Sequence, residues 1–471
     1  MNNQEKLEFL ISPEKFFPAD LHRGALLGNQ AFITATEQYL DILSESQYWP
    51  REKIEELQIK RLNRLRDNIE NRSSFWASFF RKYGINKAKN KITLTDLKRL
   101  PILRRQDLIN FGESIYTESN DKHLFSHTSS GTTGIPLKFI FSEREMLISF
   151  PYFFRHPVFE KLSLREVLSR KPFVVLGFPG FSYICKKDFF YRAFTAIQSF
   201  DLDHPEVREE IYKSIRDAAP AILVGFGSLV AKLAQWASDD HVVLPLLAVR
   251  ISSESISLAE RQTINAAFNV PIINTLSGNG NIRVGFECPI NPGQFHVNSE
   301  SVILEIAGCD DDTLSISDRG ELVATDLTYI STPRIRWAHG DLGKFLSGIC
   351  SCGRTLPIFE FQGRRGHEVV LPSGRSVKWI LLHTALMRGG LLGRSSKQIQ
   401  VIQDKIDNLR ISIIPLRPFS DSDEINIRLA CTNLFNNEKV NIKIEYVNKI
   451  THSGRKPKIF IPLSEFQERK L

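Results

Sequence analysis

Short runs of apolar residues, separated by stretches with helical periodicity, dominate the middle of the sequence. They lie at residues 173–178, 221–226, 247–251 and 271–275. Strands that are apolar along their whole length are typical of sheets covered by helices on both faces. Alternation of such strands with helices therefore predicts an α/β fold for this region. Residues 301–306 and 320–325 alternate instead, as expected of strands with one wetter side.

Residues 30–82 have the three- and four-residue apolar spacing of helices, for example at Leu62, Leu65 and Ile69. Several arginines occupy the other face of this stretch, namely Arg61, Arg64 and Arg66. We interpret that face as the solvated side of a packing helix. The sequence therefore predicts a helical N-terminal segment before the α/β region.

The C-terminal part of the sequence predicts a second, smaller domain. Leu409, Ile411 and Ile413 alternate with polar residues, residues 421–434 have helical spacing, and residues 440–446 alternate again. This order is typical of a small α+β domain. The Gly- and Arg-rich segment 363–367 marks the boundary. We therefore expect a large domain over residues 1–365, made of mixed β-sheets flanked by helices, and a small mobile domain over residues 366–471 on a hinge.

Composition narrows the class of protein. Of 471 residues, 42% are hydrophobic and 24% charged, as in an ordinary globular protein, and the formal net charge is +8. We find no apolar run of the roughly 18 residues that span a membrane, and no secretory signal pattern. Six scattered cysteines do not suggest a disulfide framework. We therefore expect a cytoplasmic protein without a membrane partner. The positive charge suits anionic ligands, and without a recognisable motif we do not expect nucleic acid as a partner.

The most distinctive motif occupies residues 127–138 and reads His-Thr-Ser-Ser-Gly-Thr-Thr-Gly-Ile-Pro-Leu-Lys. Five hydroxyl side chains and two glycines lie between positions 128 and 134, and a lysine follows at 138. Closely spaced backbone N–H groups, hydroxyl donors and one cation suit the phosphates of a nucleotide. The Gly-Lys-Ser/Thr ending of the Walker A motif is absent. A surface turn without a ligand is the alternative reading.

This loop resembles the phosphate loop of adenylate-forming enzymes, and closely that of the phenylacetate–CoA ligase family. A segment typical of that family precedes the loop at residues 97–108. Further motifs follow the loop in the family's order, at residues 224–228, 252–254, 286–288, 296, 320–325, 334–337, 340–342, 350–354 and 363–364. The resemblance runs through most of the chain. It implies the fold of that family, in which a small C-terminal domain rotates between two reaction steps.

The resemblance also implies a nucleotide site and a reaction. The matching nucleotide-binding residues are Ser129, Ser130, Gly131, Thr132, Thr133, Gly134, Lys138, Asp341 and Arg364. In the family the loop holds ATP phosphates, the aspartate accepts hydrogen bonds from the ribose hydroxyls, and the arginine contacts the nucleotide. A turn-forming role is the alternative for Asp341. The implied reaction is Mg²⁺-dependent adenylation of a carboxylic acid with release of pyrophosphate. Acyl transfer to coenzyme A or to an amine then releases AMP.

Two positions depart from the family pattern. Its Mg²⁺-binding glutamate aligns with Gly280, which has no ligating side chain, beside Asn279 and Asn281 and with Glu287 further along. Its catalytic lysine aligns with Arg455, which leaves Lys456 and Lys458 as the nearby lysines. Two alternatives to a ligase therefore stay open. One is a catalytically degenerate, nucleotide-binding pseudoenzyme that serves as a regulatory or scaffolding subunit, and the other is a scaffold without nucleotide binding.

The substrates and assembly of such a protein are less constrained by the sequence. Neither the carboxylic acid nor the choice among thiol, amine and hydroxyl acceptors follows from any motif. Aromatic residues that are candidates for an acyl pocket include Tyr152, Phe153, Phe154, Phe178 and Phe181, although core packing is the simpler account in a chain with 33 phenylalanines. Family members often form dimers, so a homodimer is a further expectation.

Three cysteines and one histidine form a candidate metal site, namely Cys288, His296, Cys350 and Cys352. Three thiolates and one imidazole make a closed tetrahedral set, the usual form of a structural zinc site. The Cys-x-Cys spacing is less typical than Cys-x-x-Cys, but similar residues recur in members of the resembled family. Buried free cysteines are the alternative. We therefore predict a structural zinc ion that joins the strand after Phe286 to the loop at Gly348.

Overall fold

The computed structural model describes residues 1–18, 29–85, 91–118, 124–128, 137–157, 159, 173–176, 194–197, 205–219, 221–251, 256–278, 282–308, 319–364, 366–388, 396–450 and 458–468. The chain forms two compact units. The first unit contains Met1–Ser169 and Ile273–Gln362, and the second contains Arg170–Ile272 and Gly363–Leu471. The predicted boundary near residue 365 lies beside the crossing between Gln362 and Gly363. The assignment of residues 1–365 and 366–471 to separate domains stays a prediction.

The helices of the first unit are α1 (Asn3–Ile11), α2 (Gln30–Ser46), α3 (Arg51–Glu70), α4 (Ser74–Lys82), α5 (Leu94–Leu97), α6 (Arg105–Phe111) and α7 (Glu143–Ser149). Those of the second unit are α8 (Pro205–Asp217), α9 (Gly227–Asp239), α10 (Leu258–Phe268), α11 (Trp379–Arg388), α12 (Asp421–Leu434) and α13 (Leu463–Glu468). The predicted helical segment at residues 30–82 is confirmed. Among the described residues, none of the helices combines the length and apolar character needed to cross a lipid bilayer.

The strands are β1 (Leu124–Thr128), β2 (Lys138–Ser142), β3 (Phe173–Leu176), β4 (Phe194–Ile197), β5 (Ala221–Gly225), β6 (Leu246–Ile251), β7 (Ile272–Gly278), β8 (Ile282–Glu287), β9 (Gln294–Val297), β10 (Val302–Ala307), β11 (Gly320–Asp326), β12 (Trp337–Leu346), β13 (Ile358–Arg364), β14 (Glu368–Val370), β15 (Ser376–Lys378), β16 (Ser396–Lys405), β17 (Asn408–Pro415), β18 (Asn441–Tyr446) and β19 (Phe460–Ile461). The strands predicted from apolar runs and from alternation are all present within the described residues.

The sheet of the first unit has the strand order β10-β11-β12-β13-β9-β8-β7. Its neighbours β10–β11, β11–β12, β9–β13, β8–β9 and β7–β8 are antiparallel. This sheet contributes buried residues such as Val284, Leu322 and Trp337 to a hydrophobic core shared with α3 and α4. The separate hairpin of β1 and β2 joins the same core through Phe139, whose ring meets the Trp337 ring edge-on at 6.4 Å.

The second unit contains the parallel strands that the apolar runs predict. Strand β3 pairs in parallel with β4 and β5, and β5 pairs in parallel with β6. All residues of β3 and β5 are buried, and Val174, Leu176, Ala221 and Leu223 belong to a core that includes α8, α9 and α10. A four-stranded sheet of order β18-β17-β16-β19 packs with α11 and α12 around a further core. The mixed α/β fold class is therefore confirmed.

The arginine face of α3 is more deeply buried than the sequence suggests. Arg61 is 3% exposed, and its guanidinium donates hydrogen bonds to the carbonyls of Leu10 (2.9 Å) and Leu327 (3.3 Å). Arg66 is 4% exposed. Our interpretation of Arg61 and Arg66 as part of a solvated face is wrong, because carbonyls from distant segments accept the hydrogen bonds of Arg61 and the buried Arg66 pairs with Asp67 at 2.7 Å. Arg64 is half-buried and pairs with Glu14.

A buried ion pair joins the short helical segment Phe150–Phe154 to the sheet. Arg155 donates two hydrogen bonds to Glu300, at 2.6 and 2.8 Å, and both side chains are nearly excluded from water. Ser46, at the end of α2, donates a further hydrogen bond to Glu300 at 2.5 Å. The neighbouring aromatic residues Tyr152, Phe153 and Phe154 are buried and contact other aromatic rings, so core packing accounts for them. Phe178 and Phe181 lie outside the described residues.

We expect Glu300→Ala to lower the free energy of unfolding by about 3–5 kcal/mol, because it leaves the buried Arg155 without its counter-charge. A matched control is Glu209→Ala, which removes an exposed Glu–Arg pair with Arg216. That change should cost less than about 0.5 kcal/mol. Chemical denaturation of both variants measures the difference. Equal, small effects would show that the buried pair does not stabilise the fold.

Candidate functional site

The Gly-Asp motif at positions 340–341 lies inside β12 and not in a turn, so the turn-forming alternative for Asp341 is wrong. The pairs on either side of it are Glu321 with Leu342 and Val323 with Ala338. Three residues of β12, 339–341, therefore face one residue of β11. Bulges of this kind change the direction of side chains and are common near active sites. Gly340 has a φ of +90°, which residues with a side chain rarely adopt.

The bulge holds Asp341 against a histidine that sequence reasoning missed. His339 Nδ1 lies 2.9 Å from Oδ2 of Asp341, and the side chains are 1% and 12% exposed, respectively. A carboxylate has about four acceptor positions, so this hydrogen bond is compatible with acceptance of further hydrogen bonds from a ligand. On its other side the imidazole contacts the end of β7. A Cβ atom at Gly278 would lie only 2.9 Å from the ring.

The remaining candidate nucleotide residues of the first unit lie on and before β2. Lys138 is the first residue of β2 and its side chain is exposed, while its carbonyl accepts a hydrogen bond from the Tyr116 hydroxyl at 2.9 Å. Further along β2, the backbone N–H and carbonyl of Ile140 both bond Thr332 at 2.9 Å. The start of β2 is therefore well anchored. The loop residues lie outside the described residues, namely Ser129, Ser130, Gly131, Thr132, Thr133 and Gly134.

Only some of the candidate nucleotide-binding and catalytic residues of the second unit lie within the described residues. Arg364 is the exposed last residue of β13. Lys458 is half-buried just before β19, and its carbonyl accepts a hydrogen bond from the Gln400 side chain at 2.9 Å. Arg455 and Lys456 lie outside the described residues, as do Asn279, Gly280 and Asn281 of the first unit. The roles of all these residues stay predictions.

Glu287, the last residue of β8, does not replace the missing metal carboxylate. It is 3% exposed, and its Oε1 accepts a hydrogen bond from the backbone N–H of Gly293 at 2.7 Å. The β8–β9 register places it opposite Phe295. Glu287 therefore stabilises the turn between β8 and β9, directly beside the cysteine cluster.

The four predicted metal ligands are brought together by strand β9, which carries His296, and by the segments that follow β8 and β12. The ligand atoms of Cys288, His296, Cys350 and Cys352 all lie within 4.8 Å of one another. The Sγ atoms of Cys288 and Cys350 are 3.6 Å apart, and Cys352 Sγ is 3.3 Å from His296 Nε2. Zinc–sulfur bonds of about 2.3 Å at tetrahedral angles separate two sulfurs by roughly 3.8 Å. The donor set and its spacing therefore fit a zinc ion.

Hydrogen-bond donors around the sulfurs favour their thiolate forms. The Asn291 side chain donates to Cys350 Sγ at 3.1 Å, and its backbone N–H donates to Cys288 Sγ at 3.4 Å. Burial raises the pKa of Cys288. Burial acts in the same direction on Cys352, but hydrogen bonds from Arg354, together with those from Cys350 and Cys288, leave the pKa of Cys352 lowered. Burial lowers the pKa of His296 to about 4, aided by the charge of Arg354. A neutral imidazole is the form that binds zinc. Asn291 is a second residue that sequence reasoning missed.

The loop that carries Cys350 and Cys352 also forms hydrogen bonds with the junction between α2 and α3. Arg354 Nε donates to the Gln47 side chain at 2.7 Å, and the backbone N–H of Thr355 donates to the Gln47 carbonyl at 3.0 Å. The Thr355 hydroxyl donates to the Trp49 carbonyl at 2.6 Å. The position of this helix junction therefore depends on the loop that carries Cys350 and Cys352.

Comparisons with known proteins establish the class of fold. No protein-family model and no curated protein sequence matches the chain. Solved structures of acid–CoA ligases do match, and the protein has the fold of adenylate-forming enzymes. A 2-hydroxyisobutyryl-CoA ligase in its postadenylation state with R3-HIB-AMP has a TM-score of 0.67 and 16% identity over 90% of this chain and 93% of the ligase.

Two further structures support the same fold. The 2-hydroxyisobutyryl-CoA ligase with 2-HIB-AMP and CoA, in its thioesterification state, has a TM-score of 0.54 and 17% identity over 89% of this chain and 93% of the ligase. An anthranilate CoA ligase with anthranoyl-AMP has a TM-score of 0.51 and 17% identity over 73% of this chain and 66% of that chain. At sequence identities of 16–17%, these structures show that the fold is similar.

We expect Gly340→Ala to destabilise the protein by about 1–3 kcal/mol, because alanine is strained at the positive φ that the bulge requires. Lys344→Ala, further along the same strand, is the control and should unfold close to wild type. Denaturation midpoints of the two variants provide the measurement. A Gly340→Ala protein as stable as the control would mean that the bulge does not depend on glycine.

Proposed function

We propose that this protein is an ATP-dependent acid–CoA ligase that activates a small carboxylic acid as its acyl-adenylate, as phenylacetate–CoA ligases do. The observation that carries the proposal is the Asp341 carboxylate, which His339 holds at a strand bulge in a chain with the adenylate-forming fold. This is the position at which the family resemblance expects a ribose-binding aspartate. The CoA ligases among the neighbouring structures support coenzyme A as the acceptor, with an amine as the other acceptor class.

Each candidate residue has a role in this proposal that its chemistry suits. Lys138 and the hydroxyl-rich loop at residues 129–134 bind the phosphates, since they supply a cation and closely spaced donors. Asp341 accepts hydrogen bonds from the ribose hydroxyls, and Arg364 contacts the nucleotide. Positive charge near the reacting phosphate comes from the C-terminal residues Arg455, Lys456 and Lys458. Mg²⁺, when bound, would neutralise phosphate charge, and Gly280 contributes no side-chain ligand to it.

The proposed reaction has two steps. In the first, a carboxylate oxygen of the acid attacks the α-phosphorus of ATP, the bond to the bridging oxygen breaks, and pyrophosphate leaves. In the second, the thiol of coenzyme A loses its proton and its sulfur attacks the acyl carbonyl carbon. The bond between that carbon and the phosphate oxygen breaks, and AMP leaves with this oxygen. The protein's contribution is alignment of the reactants and stabilisation of charge that develops on the phosphate.

We expect calorimetry to detect binding of ATP to the whole chain, and Lys138→Ala and Asp341→Ala each to weaken that binding by about tenfold or more, since each removes a charged hydrogen-bonding group. Lys443→Ala, an exposed lysine on β18, is the control and should bind as wild type. Pyrophosphate exchange with a panel of aryl and short hydroxy acids then tests the chemistry. Exchange with any acid supports the ligase. ATP binding without exchange would contradict it and favour the pseudoenzyme, and no ATP binding would overturn both.

We also propose that Cys288, His296, Cys350 and Cys352 hold one structural zinc ion. The ligand set is closed, with four protein atoms, and so leaves no open position for a substrate. The ion would join the loop after β8 to the loop after β12. Because Arg354 and Thr355 continue from the second loop to Gln47 and Trp49, the ion would also stabilise the α2–α3 junction.

We expect elemental analysis of purified protein to find about one zinc ion per chain, and Cys350→Ala to lose it because one of four ligands is removed. Cys431→Ala is the matched control, since Cys431 is a buried cysteine in the core around β16 and β17. It should keep the metal. A strong chelator should lower the melting temperature of wild type and increase protease cleavage near Gln47–Trp49. Zinc-free protein with unchanged stability and protection would contradict the proposal.

A further inference from the structure

The imidazole of His339 is placed between two segments that the family resemblance associates with the nucleotide. One segment is the bulge that carries Asp341, the expected ribose ligand, and the other is the end of β7 at Gly278, two residues before the position that aligns with the family's Mg²⁺-binding glutamate. The imidazole is almost fully excluded from water, with 1% of the side chain exposed. Its Nδ1 lies 2.9 Å from Asp341, and its Cδ2 and Nε2 atoms lie against Gly278 of β7. His339 is therefore packed at a fixed place between these two segments.

The backbone on both sides of the imidazole limits where it can lie. Gly340 separates His339 from Asp341 and takes the positive φ that lets β12 bulge, which brings the two side chains within hydrogen-bonding distance. On the side of β7, a Cβ at Gly278 would lie 2.9 Å from both Cδ2 and Nε2 of the ring. The ring thus occupies the space that a side chain at position 278 would need. Two glycines, one on each strand, make room for this histidine.

A hydrogen bond of this kind restricts the carboxylate that accepts it. The side chain of an aspartate rotates about two bonds, and an unrestrained carboxylate loses that freedom when it binds a ligand. The Nδ1–H of His339 fixes one oxygen of Asp341 and so sets the direction of the other. Binding groups whose rotamers are held by neighbouring hydrogen bonds and packing bind more tightly, because less freedom is lost on binding.

We propose that His339 is a positioning residue that orients Asp341 to accept hydrogen bonds from the ribose hydroxyls of ATP. This inference rests on the proposed function and specifies which group prepares the ribose site. His339 does not contact the nucleotide in this proposal and acts through Asp341. The part of ATP affected is the ribose, and the contribution of the phosphates to binding is unchanged.

The test compares ATP with 3′-deoxy-ATP and 2′-deoxy-ATP in calorimetric titrations of the whole chain. Wild type should bind ATP more tightly than either deoxynucleotide, because each deoxynucleotide lacks one hydroxyl that could donate a hydrogen bond to the Asp341 carboxylate. His339→Phe keeps a ring but removes both nitrogens. We expect it to weaken ATP binding by roughly tenfold and binding of each deoxynucleotide by a smaller factor, because each of these keeps only one of the two hydroxyls that Asp341 would contact. Substitution of a residue that merely supported the fold would weaken binding of all three nucleotides by the same factor.

Three further variants test whether His339 acts through its hydrogen bond to Asp341. His339→Asn keeps an N–H donor near the position of Nδ1 and should restore much of the preference for ATP. Gly278→Ala, which alters neither His339 nor Asp341, should displace the ring through its Cβ and reduce the preference. In the double variant of His339→Phe with Asp341→Ala, the loss should be no greater than with Asp341→Ala alone, because both residues act through the same hydrogen bonds. His339→Ala replaces His339→Phe if the larger ring prevents folding, which thermal unfolding of each variant reports.

The outcomes separate this inference from the proposed function. If wild type binds no ATP, both the proposed function and this inference are contradicted. If wild type binds ATP and prefers it over the deoxynucleotides, but folded His339→Phe or His339→Ala keeps the full preference, only the inference is overturned. Additive losses in the double variant would likewise contradict it, since they would mean that the two residues act independently.

Discussion

The buried ion pair between Arg155 and Glu300 is the interaction on which the rest of the first unit depends. Its side chains are 3% and 0% exposed, so each charge is tolerated only because the other compensates it. Ser46 and Asn298 add hydrogen bonds, which tie the end of α2 and the loop before β10 to the same point. The guanidinium of Arg155 also stacks on the ring of Phe286 in β8, at 5.1 Å. Helices and sheet are thereby held in one fixed relation.

Two sites are built outward from this sheet by strands that leave its regular pattern. Just after β8, Cys288 meets His296 of β9 and the two cysteines after β12, and Asn291 and Arg354 donate hydrogen bonds that suit thiolates. In β12, a bulge at Gly340 places Asp341 beside His339. The first site is closed and suits a stabilising ion. The second keeps a carboxylate with acceptor positions beside His339, which suits recognition of hydroxyl groups.

Much of the fold could be predicted from local pattern, whereas several side-chain environments could not. The apolar run at 221–226 corresponds to the parallel strand Ala221–Gly225, and the helix expected at 421–434 is α12. Arg61 was misread because its charge is satisfied by the carbonyls of Leu10 and Leu327, which are remote in sequence. His339 was missed because a histidine next to a Gly-Asp motif has no significance until the register of β11 and β12 is known.

By itself, the sequence determined the α/β class, the main strands and helices, the hydroxyl-rich loop and the identity of the four metal-ligand candidates. These follow from periodicity and residue type, which are local properties of the chain. Only the tertiary structure decided that Cys288, His296, Cys350 and Cys352 converge, that Glu287 holds a turn, and that His339 faces Asp341 across a bulge. The physical reason is that such contacts depend on strand register and on close packing between distant segments, where a shift of one residue turns a side chain to the other face.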